Sequence, residues 1–126
     1  CDIWAIGVLL YVFMSGYLPF QGENRNDVFH KIQEVKYHFN HPEFDSVSNE
    51  CKDLIKTLLV GKPANRPFAN EALTHKWFNT DTSNHNPVNK NVFARLQNFK
   101  GVSKLKKAAM NMFVKMTVQK QIDGLR

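Results

Sequence analysis

The chain has 126 residues, 43% apolar and 22% charged, a balance that excludes disorder along its whole length and fits one domain at most. Its formal charge of +6 is unevenly placed: residues 1–91 hold nine Lys and Arg against ten Asp and Glu, whereas residues 92–126 hold eight against Asp123 alone. The longest apolar run, Ile6 to Met14, is too short for a membrane span, and two cysteines, Cys1 and Cys51, make no disulfide framework. A cytoplasmic protein with free thiols is the expectation.

In chain order, residues 3–14 predict a helix that is apolar on every face and therefore buried on all sides, closed by Ser15-Gly16. A loop over 16–26 leads to a helix at 27–35, with Val28, Ile32 and Val35 on one stripe. Residues 38–47 read as irregular. Residues 48–60 give the clearest helix: Ser48 is its N-cap, Cys51, Leu54, Ile55, Leu58 and Leu59 its apolar face, and Gly61 its C-cap. A short helix at 70–74 precedes Trp77-Phe78, a polar linker covers 80–91, and a long helix spans 92–118, with Gly101 a weak point. No strand is predicted.

Three blocks stand in order: Asp2-Ile-Trp4-Ala-Ile-Gly7, Gly16-Tyr-Leu-Pro19-Phe20, and Pro63-Ala-Asn-Arg66-Pro67 running on to His75-Lys-Trp77-Phe78. Together they resemble the last third of a eukaryotic protein kinase catalytic domain. The resemblance implies a mainly α fold: residues 1–79 are the C-terminal part of the large helical lobe. It implies scaffold roles for Asp2, Trp4, Gly7 and Arg66, none of them catalytic. Asp2 would cap the central helix, where a carboxylate suits free amides and the macrodipole. Arg66 would pair with a glutamate that the chain does not contain, so it is expected to lack its partner. Lys62 and Phe68 depart from the family pattern; Phe68 replaces a hydroxyl N-cap, which moves the cap to Asn70. Val12 stands where one basophilic group has a glutamate, so that arginine preference is not expected. No Gly-x-Gly-x-x-Gly, Val-Ala-Ile-Lys, His-Arg-Asp or Asp-Phe-Gly occurs, so the chain reads as a piece of a kinase without catalytic or ATP-binding residues of its own.

The basic segment Arg95-Leu96-Gln-Asn98-Phe99-Lys100, continuing through Lys104-Leu105-Lys106-Lys107, resembles the autoinhibitory junction of calcium-dependent protein kinases. Phe99 and Met112 lie 13 residues apart and bracket Lys100, Lys104, Lys106 and Lys107. Such anchors around lysines suit the apolar groove and acidic rim of a calmodulin-like EF-hand module. Arg95, Leu96, Phe99, Lys100, Lys104, Leu105, Lys106, Lys107 and Met112 are therefore the candidate regulatory residues. Phe93-x-Arg95-x-x-Asn98 also has a pseudosubstrate shape. Residues 119–126 resemble the lead-in to an EF-hand domain, and no calcium loop is present. Aromatics are too sparse among the lysines to support nucleic-acid binding. His38 and His41 lack further ligands for zinc, and Cys51 reads as core.

The resemblance implies a parent serine/threonine kinase that transfers phosphate from ATP with magnesium to protein substrates, and an EF-hand module in cis that supplies calcium control. The alternatives are regulation by a separate calmodulin, or a non-catalytic module that presents a basic helix to an EF-hand partner.

Overall fold

The computed structural model describes residues 2–80 and 89–98. The chain divides into two compact units, Cys1–Leu96 and Gln97–Arg126, and all but the last two described residues belong to the first. The remainder of the predicted 92–118 helix, most of the linker and the 119–126 lead-in lie outside the described residues.

The first unit is helical, with no strand among the described residues. Helix α1 spans Asp2–Ser15, α2 Arg25–Gln33, α3 Asn49–Leu58, α4 Ala69–Ala72 and α5 Lys90–Gln97; short 3-10 turns occupy Pro42–Ser46, Pro63–Asn65 and Lys76–Asn79. Helix α1 packs on α3. Between them lies a core of Tyr11, Phe44, Cys51, Ile55 and Leu59, bordered by Trp4, Tyr37, Phe39 and Trp77. Full burial of Ile55 and Phe44 contributes about 2–3 kcal/mol each. At Gly7 the backbones approach so closely that a Cβ would stand 3.0 Å from the Cβ of Leu58 and 2.9 Å from Leu59 Cδ2.

Local chemistry explains most helix ends. Ser48 caps α3 as expected, its hydroxyl accepting from the Cys51 amide at 3.2 Å. Gly16, at φ +77°, ends α1 by donating its amide to Val12 O at 2.7 Å. Helix α2 starts two residues before the predicted point, because the Asn24 side chain accepts from the Asp27 amide at 2.9 Å. It also ends early: Val35 turns into positive φ (52°), while the Lys36 amide reaches Lys31 O and the Val35 amide reaches Ile32 O. That is a Schellman closure with a β-branched residue where glycine is usual.

Four expectations are corrected. Helix α1 is not covered on all sides: Ile6, Leu9 and Phe13 are 49%, 37% and 57% exposed. They line an apolar groove of about 380 Å³ with Leu54, Leu58 and Leu73. Helix α3 closes at Leu59 (φ −87°, ψ 58°), so Gly61 is not its cap. Helix α4 begins at Ala69 rather than shifting to Asn70: the Glu71 carboxylate accepts from the Phe68 amide at 2.7 Å, the half of a capping box that needs no hydroxyl at the N-cap. Residues 42–46 are a 3-10 turn opened by Pro42, which drives Phe44 into the core.

Candidate functional site

Two constellations carry the predicted site residues. The first joins the start of α1 to the loop after α3. Trp4 stacks on Phe20, ring centroids 5.7 Å apart and planes 6° from parallel. The Arg66 guanidinium lies over Trp4, 4.8 Å from the ring centroid. Arg66 Nε donates to Val60 O at 2.6 Å and Nη2 to Gly61 O at 3.2 Å. Arg66 is expected to lack its glutamate, and other groups hold it here. Among the described residues no carboxylate pairs with it, yet an aromatic face and two carbonyls hold its planar fork. Asp2 occupies the first turn of α1. Gly7 forms the close α1–α3 contact, and Trp4 and Arg66 join the start of α1 to the loop after α3.

His75 makes two hydrogen-bonding contacts. Its Nδ1 accepts from the Trp77 amide at 3.2 Å, and its Nε2 lies 3.1 Å from Asp53 Oδ2. Hydrogen bonds from Lys76 and then His75 hold the Asp53 carboxyl below the usual carboxylate range. Cys51 is 2% exposed, and burial pushes its thiol up to about 11. It is core and not a nucleophile.

The second constellation lies at the root of the basic segment. Val92 is 2% exposed against the lobe. Arg95 forms an ion pair with Glu43 across 52 residues of sequence, and its guanidinium sits 4.0 Å from the Tyr17 ring centroid. Tyr17 in turn stacks on His41, centroids 4.1 Å apart. Burial, then His38, holds His41 below its ordinary pKa; Glu43 opposes this and Arg95 adds to it. Leu96 is half-buried, and Phe93 is 59% exposed. Phe99, Lys100, Lys104, Leu105, Lys106, Lys107 and Met112 lie outside the described residues. Sequence reasoning missed Tyr17 and Glu43, whose only signal was Pro42 setting a turn ahead of an acid.

A central helix tied by an arginine–tryptophan stack to the loop beyond a second, amphipathic helix defines a piece of a kinase-type helical lobe. Residues 1–78 match the protein kinase domain, and the chain belongs to that family. Among solved structures, titin kinase with its flanking domains aligns at TM-score 0.67 and 30% identity, over 72% of this chain and 17% of that one. The autoinhibited serine kinase domain of titin aligns at TM-score 0.63 and 33% identity, over 68% of this chain and 26% of that one. Among curated proteins, calcium-dependent protein kinase 29 of Arabidopsis thaliana is 34% identical over 99% of this chain and 23% of its own length. Calcium-dependent protein kinase 4 of Plasmodium falciparum is 39% identical over 87% of this chain and 22% of its own length. The chain thus spans under a quarter of either relative. No helix among the described residues is long and apolar enough to cross a membrane.

Proposed function

We propose that the chain is the C-terminal part of the catalytic domain, with the regulatory junction, of a calcium-regulated protein serine/threonine kinase. The observation that carries this reading is continuity. The kinase-type lobe runs, through α5 and Arg95, into a segment with seven further Lys and Arg between residues 97 and 126. The similarity to calcium-dependent protein kinases likewise extends over 99% of the chain, past the end of the matched kinase domain.

The residues present do not fit ATP, magnesium or calcium. The sequence has no glycine-rich phosphate loop, and no group of three His, Cys, Asp or Glu among the described residues is placed to hold a metal. In this reading other parts of the parent bind ATP and magnesium, and an EF-hand module in cis binds calcium. The chain's own residues do three things. Trp4, Gly7 and Arg66 hold the lobe rigid. The apolar groove beside Ile6, Leu9 and Phe13 takes a further element of the parent lobe. Residues 92–118 restrain the kinase until the calcium-loaded module binds Phe99, Met112 and the lysines between them, a shift that needs differential affinity for the released state.

Titrating the 126-residue chain with calmodulin as the probe module tests this. Binding should require calcium, and replacing Phe99 and Met112 together by Ala should weaken it by at least about tenfold. Equal binding in calcium and in chelator would contradict the reading.

A further inference from the structure

We propose that Arg95 and Glu43 form a latch that fixes the root of the basic segment, residues 90–96, to the lobe. The inference stands on geometry and does not depend on the calcium reading. Five observations converge on it.

Glu43 is 4% exposed, set there because Pro42 starts a 3-10 turn whose next residue, Phe44, is wholly buried. A carboxylate so placed needs a charged partner, and Arg95 supplies one. The other oxygen, Oε2, is buried and has no hydrogen-bond partner among the described residues. If α5 departed, Oε1 would lose its charged donor, so the pair itself opposes release.

Arg95 is held a second way, by the Tyr17 ring at 4.0 Å. Gly16 makes room for it: a Cβ there would lie 3.0 Å from Arg95 Cβ and 3.6 Å from Val92 O. The same glycine therefore ends α1 and admits α5. Val92, one turn before Arg95, is 2% exposed and adds an apolar contact on the same helix face. Finally, the lobe's compact unit extends through Leu96.

The consequence is a short tether. With position 95 fixed beside Tyr17, chain geometry keeps Lys100 within about 18 Å of Arg95 even when fully extended. A partner that takes the segment from Phe99 onward leaves this root in place.

Hydrogen exchange on the 126-residue chain tests the latch. In Arg95→Ala and in Glu43→Gln, amides 94–97 should lose protection by at least about tenfold, with α3 amides 53–58 unchanged. The double variant should lose no more than the worse single variant, as for two halves of one interaction. Protection of 94–97 within about twofold of the parent chain in both single variants would overturn the proposal. Because Glu43 is buried and its replacement can loosen the lobe, Arg95→Ala, on a half-exposed side chain, is the deciding variant. If it lowers protection in α3 as much as in α5, the pair serves the fold in general and the latch is refuted.

Discussion

Arg66→Ala removes three contacts at once, and the geometry ranks them. The guanidinium over Trp4 at 4.8 Å is partly exposed, which puts the cation–π contribution near 0.5–1 kcal/mol. The bond to Val60 O, at 2.6 Å and partly buried, comes from a charged donor and contributes about 1.5–2 kcal/mol. The bond to Gly61 O is exposed, and water replaces most of it. Together the loss is about 2–3 kcal/mol, or a fall of about 10–15 °C in Tm for a unit of this size. Arg66→Lys keeps the charge and can reach one carbonyl but cannot stack a planar fork, so it should recover about half of the loss. Urea unfolding of the 126-residue chain, followed by far-UV circular dichroism and by Trp4 and Trp77 fluorescence, measures both. Arg66→Ala within about 0.5 kcal/mol of the parent would refute the scaffold assignment and make Arg66 an ordinary surface arginine. Equal stability of the Lys and Arg forms would show that charge alone matters.

Three further outcomes follow from the packing. Ile55→Ala, at a wholly buried position between α1 and α3, should cost about 2–5 kcal/mol in the same unfolding assay. Because Lys76 and His75 depress the folded-state pKa of Asp53, that cluster adds stability above the unfolded carboxylate pKa and loses it as pH falls through the lower folded value; Asp53→Asn should flatten this part of an acid-unfolding curve. The open groove should bind an apolar fluorescent dye, and Phe13→Ser, at a 57% exposed site, should cut the dye signal at least about twofold without loss of helical circular dichroism.

Much of the lobe was legible from local chemistry. Ser48 and the stripe from Cys51 to Leu59 set the start and the buried face of α3, and Gly16 set the end of α1. What the sequence hid was whatever depends on distant partners. The uniform apolarity of α1 reads as burial on all sides, yet only packing reveals that the side bearing Ile6, Leu9 and Phe13 is open. Phe68 reads as a shifted helix start until Glu71 is seen to accept from its amide. Arg66 reads only as lacking its glutamate, because its contacts here are a ring 62 positions earlier and two carbonyls, none of which advertises itself as a ligand for a charge. The Arg95–Glu43 pair spans 52 residues, and neither neighbourhood has a periodicity that points to the other.

The central claim, a kinase held in check by its basic segment and freed by calcium, is tested most directly in the full-length parent. Phosphate transfer to a protein substrate should be measured in calcium and in chelator, for the intact kinase and for a form truncated after Asn98. That cut leaves the buried Val92 and the Arg95–Glu43 pair in place and removes Phe99, the lysines and Met112. The account predicts an intact kinase active only with calcium and a truncated one active in both conditions. A truncated kinase that folds and binds ATP but stays inactive in both would contradict it, and would mean that the segment supports the active state rather than restraining it.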